Sequence, residues 1–389
     1  MRMKKIVSVI LLISLAFSAL TGCSGGKDKE VSTTGFAFDT TYTITLLEGG
    51  SQELLNSCVQ KCGEYEKIFS RTLESSQLYQ INEIEDLYLK AVDAQGVYRK
   101  EKNKLAKDFL TEKEIQSIEQ QINKEKSEKN EAQYRIQENG TAIFQVSDEL
   151  AEIIKTGLAY AAQSDGAFDI GIEPVSSLWN FSEDEKVIPS KEKIAEALPY
   201  VDYKKISMNG NELTFQMPGM GIDLGGIAKG YIADALKQYL QEQGVSSGMI
   251  NLGGNILCIG KKEKGQDFLI GIQQPFADRN ETVAAVSVHD VSVVSSGIYE
   301  RYLTDKDGKQ YHHIINPKTG YSYDNDLMAV TIISDKSIDG DALSTTCFSM
   351  GKEKGLAYVN SLKGVYAMFI TKDEKEWYSE GFSELLIEE

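Results

Sequence analysis

Zinc ligands are scarce in this sequence of 389 residues, which contains five cysteines and three histidines. None of these residues has the spacing of a zinc site, so we expect no zinc. Cys58 and Cys62 lie four positions apart on a predicted helix, which does not favour a disulfide between them, and we expect no structural disulfides. The stretch from Gly225 to Gly230 matches neither a Walker loop nor a Rossmann fingerprint, because the glycine spacing differs and no Lys-Ser/Thr pair follows.

Basic residues are also fewer than acidic residues. Lys and Arg number 41 against 58 Asp and Glu, which gives a net charge of −17. A surface this acidic would not be attracted to nucleic acid or to anionic lipid. The charge therefore argues against both as main partners.

The apolar run from Ile6 to Leu20 is too short for an ordinary membrane-spanning helix, and three basic residues precede it. That pattern is typical of a signal peptide. The run ends in Leu20-Thr-Gly-Cys23, which resembles a bacterial lipobox, so we expect a signal peptide over 1–22 and lipidation of Cys23. Residues 23–34 then form a polar tether, and the protein contacts the cell membrane only through its lipid anchor, on the extracytoplasmic face. A plain secretory signal with a chance cysteine is the alternative.

The central stretch of the sequence runs from Gly221 to Asp234. It predicts the end of a strand, a tight turn at Gly225-Gly226 and a long helix from Ile227 that ends at Gly244. A helix N-terminus behind a glycine turn suits a phosphate or another anion. A plain strand–turn–helix connection without a ligand is the alternative.

Helices and strands follow one another in mixed order, without a βαβ rhythm, which predicts an α+β fold of mixed or antiparallel sheets with packed helices. Ser164 to Pro174 reads as a turn into an extended segment. The composition shifts from about residue 83 to 138, and the run Arg99 to Glu138 is dominated by Lys, Glu, Gln and Asn. We expect either a helical hairpin or a loosely docked, partly disordered helical insertion there. We predict helices at 51–69, from 147, at 190–197, from 227, from 339 and at 352–361. We predict strands at 36–47, 142–146, 206–208, 212–216, 248–260, 268–273, 283–288, 291–295, 311–315, 328–333, 365–370 and 377–379.

Two groups of residues could support chemistry. Asp341 and Thr345 share one face of a predicted helix, with Ser344 beside them. Their oxygen atoms suit a hard cation such as Mg²⁺, although an acidic helix N-terminus would give the same pattern. His313, at the end of a predicted strand, could act as an acid or a base near neutral pH, or it could be an ordinary hydrogen-bonded histidine.

Five short blocks stand out along the sequence. In chain order they are Phe38-Asp-Thr-Thr-Tyr42; Phe69-Ser-Arg-Thr72 with Ile81-Asn82; Asp165-Gly-Ala-Phe-Asp169 with Pro174 and Leu178-Trp179; Asp223-Leu-Gly-Gly-Ile-Ala-Lys-Gly230 with Asn251-Leu-Gly-Gly254; and Ser296-Gly297 with His313-Ile-Ile-Asn-Pro-Lys-Thr-Gly320 and Asp341-Ala-Leu-Ser-Thr345. Taken together, these blocks resemble the ApbE family of FAD:protein FMN transferases, and the resemblance covers about residues 36–372 apart from the insertion.

The resemblance implies a single T-fold-related catalytic domain over residues 35–389, with FAD as substrate and Mg²⁺ as cofactor. It implies that Asp341, Ser344, Thr345 and the carbonyl of Gly226 hold the metal, and that His313 and Asp341 are catalytic. The FAD contacts that it implies are Phe38, Thr72, Ala167, Phe168, Asp169, Asp223, Lys229 and Ile314.

Three positions depart from the usual family pattern. Phe38 stands where many members have methionine, Thr72 where an aromatic residue is common, and Asn316 where aspartate is frequent. The charged insertion is not a general feature of the family either. For Asp169 and Asp223, turn formation remains the alternative to a ligand contact.

The function that the resemblance implies is Mg²⁺-dependent transfer of FMN from FAD to a threonine of an acceptor protein, with release of AMP. The family's acceptors carry a motif similar to Asp-Gly-x-Ser/Thr-Gly-Ala-Ser/Thr, which we do not find in this chain. We therefore expect it to modify another protein. An FAD pyrophosphatase that yields FMN and AMP, and a flavin-binding lipoprotein without turnover, are the alternatives.

Overall fold

The computed structural model describes residues 30–99, 104–106, 109–181, 186–278 and 281–387. The predicted signal peptide, Cys23 and most of the predicted tether lie outside these residues. Within the described ranges, no helix combines the length and the apolar character needed to cross a bilayer.

The described residues form nine α-helices and eighteen strands, numbered in chain order. The helices are α1 (Gln52–Phe69), α2 (Gln77–Ala94), α3 (Glu112–Glu125), α4 (Asp148–Gln163), α5 (Glu173–Ser176), α6 (Lys191–Ala197), α7 (Ala228–Glu242), α8 (Ser337–Met350) and α9 (Lys352–Asn360). The strands are β1 (Val31–Ala37), β2 (Thr40–Glu48), β3 (Tyr98–Arg99), β4 (Lys104–Leu105), β5 (Tyr134–Ile136), β6 (Ala142–Gln145), β7 (Ile206–Asn209), β8 (Glu212–Phe215), β9 (Ser247–Leu252), β10 (Asn255–Ile259), β11 (Phe268–Gln273), β12 (Thr282–Val288), β13 (Ser292–Gly297), β14 (Tyr302–Thr304), β15 (Gln310–His312), β16 (Leu327–Ser334), β17 (Tyr366–Thr371) and β18 (Glu376–Tyr378).

An eight-stranded sheet in the order β1-β2-β9-β10-β13-β16-β17-β18 forms the frame of the fold. A four-stranded sheet, β5-β6-β8-β7, and three two-stranded hairpins accompany it. Every strand pair among the described residues is antiparallel. The predicted α+β class with antiparallel sheets is therefore confirmed.

The main sheet separates two apolar layers. Along β16, Val330 and Ile332 pack into the core that contains α7 and α8, whereas Ala329 and Ile333 pack against the β11–β12 hairpin on the other face. This alternation follows from the two-residue period of a strand. Because both faces are covered, β16 is almost wholly apolar.

The segment predicted as one strand from Phe36 to Leu47 is a hairpin of two strands, which corrects the sequence prediction. Phe38 and Asp39 have φ angles of 56° and 55°, and Ala37 pairs with Thr40 across the turn. Two consecutive left-handed residues are the signature of a type I′ turn, but glycine or asparagine usually marks it. β1 also begins at Val31, so the tether expected up to residue 34 is too long; its last residues belong to the sheet.

The glycine-interrupted strand predicted from Gly248 to Gly260 is also a hairpin, made of β9 and β10. Gly253 and Gly254 form its turn with φ angles of 60° and 90°. A β-carbon at Gly253 would collide with the side chain of Thr40. The glycine thus lets the tips of two hairpins, β1–β2 and β9–β10, touch.

The charged segment at 83–138 contains the expected helices, the end of α2 and α3, together with the short strands β3, β4 and β5. The loosely docked alternative is wrong for these two helices. Ile84 and Tyr88 of α2 and Ile118 and Ile122 of α3 are fully buried in the main core. A few apolar residues at helical spacing are enough to anchor a highly charged segment. The proposed domain boundaries themselves remain predictions.

Helix α2 also holds the chain that leads into the central glycine turn. The Asn82 side chain accepts a hydrogen bond from Ile222 N–H and donates one to Ile222 C=O, both at 2.9 Å. Glu85, which is fully buried, accepts a bond from Gly219 N–H at 3.1 Å, and burial raises the pKa of its carboxyl well above the usual value. Residues 219–223 belong to no sheet. The side-chain amide of Asn82 therefore provides hydrogen bonds that a neighbouring strand would otherwise provide.

Replacement of Asn82 by alanine removes both hydrogen bonds and leaves two main-chain groups of Ile222 unpaired. We expect the free energy of unfolding to fall by about 1–3 kcal/mol, measured by urea denaturation. Lys90→Ala, on the exposed side of the same helix, is the matched control and should change it by less than about 0.5 kcal/mol. Equal effects of the two substitutions would contradict the role given to Asn82.

Candidate functional site

The start of α7 and the N-terminal part of α8 meet at Asp341. The carboxylate of Asp341, which is 3% exposed, accepts a hydrogen bond of 3.0 Å from Gly230 N–H at the N-terminus of α7. Lys229 Nζ lies 3.7 Å from its other oxygen. A carboxylate at a helix N-terminus is stabilised by the helix dipole. The glycine turn and the distant helix therefore share one site, as the sequence interpretation requires.

Two further contacts fix the distance between these helices. A β-carbon at Gly230 would lie 2.6 Å from Ile338 Cα and closer still to the carbonyl oxygen of Ser337. The Asp234 carboxylate, one turn further along α7, accepts bonds from Ser337 N–H at 2.8 Å and Ile338 N–H at 2.9 Å. Asp234 thus supplies the capping interaction for α8 from another helix. Asp234 is the last residue of the central stretch from Gly221 to Asp234, but nothing in the sequence reveals that it binds the start of α8.

The glycine turn itself is ordered by Asp223. One oxygen of Asp223 accepts a bond from Gly225 N–H at 2.9 Å, while the other accepts one from Ser176 Oγ at 2.7 Å and lies 3.4 Å from Arg71 Nε. Burial alone would raise the pKa of Asp223, but the Arg71 guanidinium and these hydrogen bonds hold that pKa below its usual value. Asp223 is thus an ionised anchor that places Arg71 at the site.

Oxygen atoms that could bind a hard cation gather between α8, β13 and the glycine turn. Ser296 Oγ lies 2.8 Å from Ser344 Oγ and 3.4 Å from Thr345 Oγ1. A β-carbon at Gly226 would lie 3.4 Å from Thr345 Oγ1, so the glycine brings the main chain close to that hydroxyl. With Asp341 as the carboxylate, this donor chemistry fits Mg²⁺.

Two findings qualify the metal ligands expected from the sequence. Ser344 is fully buried, and its hydroxyl already donates to Asp341 C=O at 2.9 Å, so only the lone pairs of this hydroxyl are available to a cation. Within the part of the chain that the structure describes, no three His, Cys, Asp or Glu residues form a metal-binding group. A metal at this place would therefore depend on hydroxyl and main-chain oxygens around one carboxylate.

The turn at Ala167 to Asp169 forms another wall of the site. A β-carbon at Gly226 would lie 3.1 Å from Phe168 Cε2, and Ala167 C=O accepts a 2.8 Å bond from Tyr323 Oη. Asp169 accepts bonds from Gly171 N–H at 2.7 Å and from Tyr203 N–H. Burial raises the pKa of Asp169 to about 6.

The segment after this turn was predicted to be extended, but it contains a 3₁₀ turn at Ile170–Ile172 followed by α5. Asp169 caps that turn with its side chain. Pro174 lies in the first turn of α5, where proline is tolerated because its missing N–H would have no partner within the helix. Because this segment is helical, Ser176 and Glu173 lie near Asp223. The sequence did not predict this proximity.

His313 is held by a single carbonyl oxygen. Arg301 C=O accepts a bond from the His313 main-chain N–H at 3.1 Å and faces ring Nδ1 at 3.3 Å. A carbonyl cannot donate, so Nδ1 carries the proton and Nε2 is the free acceptor. The surrounding protein, then His312 and Arg301, lower the pKa of His313 to about 3. The ring is neutral at pH 7, although part of its surface remains open to solvent.

Arg301 links this histidine to the β1–β2 hairpin. Its Nη2 donates a 2.8 Å bond to Asp39 C=O in the turn that also contains Phe38. Phe38 N–H in turn donates to Glu66 Oε1 at 3.0 Å. The hairpin tip with Phe38 is thereby tied to both α1 and the histidine.

Thr72 and Ile314 complete the predicted set. Ile314 is buried next to His313, and its carbonyl accepts a bond from Tyr323 N–H. Thr72 is exposed and contacts Ser70, so only its neighbour Arg71 reaches Asp223. Arg71 and Arg301 place positive charges at the site, which the uncharged Thr72 cannot do. The roles of these two arginines could not be predicted from the sequence.

Gly230→Ala would force α7 and α8 apart, because the new methyl group meets main-chain atoms that cannot rotate away. We expect the free energy of unfolding to fall by about 1–3 kcal/mol, measured by urea denaturation. Gly63→Ala is the matched control, since Gly63 lies in α1 with no atom within 4 Å of its β-carbon position. That control should be neutral or stabilising by up to about 1 kcal/mol, and a neutral Gly230→Ala would contradict the close packing.

Comparison with known proteins identifies the family that this chain matches. The family model described as "ApbE family" matches residues 94–369. A FAD:protein FMN transferase of Klebsiella pneumoniae (strain 342) is 37% identical over 230 residues, covering 59% of this chain and 71% of the relative. A protein of the same name from Treponema pallidum (strain Nichols) is 35% identical over 257 residues, covering 62% and 71%.

Solved structures agree with these matches. The crystal structure of the ApbE protein from Thermotoga maritima has a TM-score of 0.70 and 26% identity, covering 92% of this chain and 100% of that one. The flavin transferase ApbE from Vibrio cholerae, with a TM-score of 0.69 and 23% identity, shares the fold over 92% of this chain and 99% of its own. The family model covers well over half of the sequence, and the chain belongs to the ApbE family.

Proposed function

We propose that this protein transfers FMN from FAD to a threonine hydroxyl of an acceptor protein and releases AMP, with Mg²⁺ as cofactor. The relatives that carry the name FAD:protein FMN transferase support this assignment. The observation that carries it in this chain is the contact between Gly230 N–H and Asp341, which joins an anion-binding helix start to an oxygen cluster. A diphosphate and a divalent cation need such a combination.

Asp341, Ser344, Thr345 and the Gly226 carbonyl are the residues to which we assign Mg²⁺. When bound, Mg²⁺ neutralises charge on the diphosphate and on the departing AMP. Asp341 is already oriented by Gly230 N–H and Lys229. The carboxylate therefore needs little rearrangement on binding.

FAD is an anion, and the net charge of the chain is −17, so local cations must offset the repulsion. Lys229 beside Asp341, Arg71 beside Asp223 and Arg301 beside His313 supply them. Arginine suits this task because its planar group donates several hydrogen bonds to phosphate. Phe38, Phe168 and Ile314 are the apolar residues that we assign to the flavin side.

The transfer step needs a proton acceptor for the threonine hydroxyl. Threonine Oγ bonds to the phosphorus on the flavin side, the bond from that phosphorus to the AMP oxygen breaks, and the hydroxyl proton passes to His313 Nε2. Arg301 C=O keeps Nδ1 protonated, so Nε2 is the nitrogen available for this step. A pKa of about 3 makes His313 a weak base, and it keeps the acceptor form populated at neutral pH.

Hydrolysis of FAD to FMN and AMP is the second candidate. The partial exposure of His313 lets a water molecule take the place of the threonine hydroxyl. Transfer and hydrolysis then share one site, and the acceptor determines which product forms.

The location of the protein is a further proposal. We propose that Cys23, in the lipobox-like Leu20-Thr-Gly-Cys23, is lipidated and anchors the enzyme at the extracytoplasmic face of the cell membrane. Cys23→Ala should release the protein from the membrane fraction. Retention there after substitution would contradict the anchor.

The central test incubates the protein with FAD, Mg²⁺ and an acceptor domain that carries the Asp-Gly-x-Ser/Thr-Gly-Ala-Ser/Thr motif. We expect intact-protein mass spectrometry to show one added FMN on the acceptor and AMP in solution. Replacement of the acceptor threonine by alanine should abolish labelling, and Asp341→Asn should lower its rate about 100-fold at low Mg²⁺ concentration. Free FMN without labelled acceptor would establish hydrolysis instead, and intact FAD would contradict both functions.

The affinity for FAD should depend on pH through Glu173. Burial, and then the charge of Asp223, raise the pKa of Glu173 to about 7, although Arg71 opposes this shift. Below pH 7 the carboxyl is neutral, and above it a new negative charge faces the anionic ligand. We expect the Kd for FAD, followed by flavin fluorescence, to rise about three- to tenfold from pH 6 to pH 8.

Glu173→Gln should remove most of this pH dependence, leaving the part that Asp169 contributes through its pKa of about 6, whereas Glu196→Gln, on the exposed side of α6, should leave it unchanged. His313 should not contribute, because it stays neutral over the same range. A wild-type pH profile in the Glu173→Gln variant would refute the assignment.

A further inference from the structure

Three aromatic side chains form a cluster beside the histidine. The ring centroid of Phe276 lies 6.0 Å from that of Tyr299 and 5.7 Å from that of Tyr302, both in edge-to-face geometry. Phe276 is 48% exposed and Tyr302 is 39% exposed, whereas Tyr299 packs into the layer behind the main sheet. The cluster therefore has a buried base and an exposed surface of two rings.

Exposure alone does not distinguish these rings within the described residues, since Phe36 is 74% exposed and Phe109 is 64% exposed. Trp377, another exposed ring, is covered by Lys352 Nζ at 4.0 Å, and Tyr378 stacks on Phe382 at 5.3 Å. Phe276 and Tyr302 are the exposed aromatic side chains of the described chain whose rings contact each other. Paired apolar rings facing water mark an interaction surface more often than single exposed residues do.

The backbone holds Phe276 in this place at a cost. Phe276 lies in the loop between β11 and β12 with a φ angle of 62°, a left-handed conformation that a bulky side chain rarely adopts and that costs about 1–3 kcal/mol. In that conformation its ring rests on Tyr299 and Tyr302. Core packing does not explain the strain, because about half of the ring faces solvent.

The cluster is linked to His313 through the main chain of the β14–β15 hairpin. Tyr302 follows Arg301, whose carbonyl binds both N–H groups of His313, and Tyr302 pairs with His312 across the β14–β15 hairpin. His313 is exposed, so a threonine that gives its proton to His313 can reach the ring from solvent. The polypeptide that carries the threonine must then pass over the surface next to His313.

We propose that Phe276 and Tyr302 form the docking surface for the acceptor polypeptide around its threonine. This inference rests on the proposed transfer function. The small apolar side chains of the acceptor motif pack on the two rings, and the exposed cation Arg301 next to them attracts the acidic residue of that motif. Aromatic residues dominate binding energy at such interfaces, because they bury a large area with few rotatable bonds.

The test measures transfer rates at saturating FAD and Mg²⁺ over a series of acceptor concentrations. For Phe276→Ala and Tyr302→Ala we expect the KM for the acceptor to rise about tenfold while kcat stays unchanged. The Kd for FAD and the rate of FAD hydrolysis without acceptor should also be unchanged. Tyr302→Phe, which keeps the ring, should behave like the wild type.

Leu269→Ala is the matched control, because Leu269 lies on β11 of the same hairpin and is 62% exposed. It should not alter the KM for the acceptor. An unchanged KM in both aromatic variants, an equal rise in Leu269→Ala, or a weaker affinity for FAD in the aromatic variants would overturn the docking surface while leaving transfer intact. A wild-type protein that labels no acceptor would contradict the proposed function, and the docking surface with it.

Discussion

The hydrogen bond from Gly230 N–H to the Asp341 carboxylate is the contact on which the rest of the site depends. It joins two helices that are more than a hundred residues apart in the sequence. The bond is charge-assisted and buried, and such bonds contribute about 1.5–3 kcal/mol. Only glycine at position 230 allows this approach, because a side chain would strike the main chain at Ile338. Without the contact, the glycine turn and the oxygen cluster would not share a site.

Other parts of the fold keep this contact in place. Asn82 of α2 fixes the chain before the glycine turn, Asp223 fixes the turn, and Asp234 fixes the start of α8. Each uses a carboxylate or amide to bind main-chain groups that belong to no strand pair. The surrounding core is conventional, but the site depends on polar contacts over long sequence distances. Arg301 extends the same pattern to His313 and the β1–β2 hairpin.

The sequence predicted what local patterns determine. The helix after Gly226 and its end at Gly244 could be read from periodicity and glycine placement, as could the shared face of Asp341 and Thr345. The hairpin turn at Phe38-Asp39 could not, because neither residue is a usual turn former and the alternation continues on both sides. The contacts of four further residues could not be predicted either, because their partners lie far away in the sequence: Arg71, Ser176, Arg301 and Asp234. The docking of α3 was missed because two isoleucines in a charged segment suffice to bury it.

The proposed function requires that a divalent cation bind the FAD diphosphate between the glycine turn and α8. Crystals grown with FAD and with Mn²⁺ in place of Mg²⁺ test it most directly, because Mn²⁺ can be located by its anomalous scattering. The account predicts an anomalous peak within ligand distance of Asp341 and Thr345, with the FAD diphosphate against Gly226. A peak elsewhere, or a diphosphate bound away from the glycine turn while the two helices remain packed as described, would contradict it.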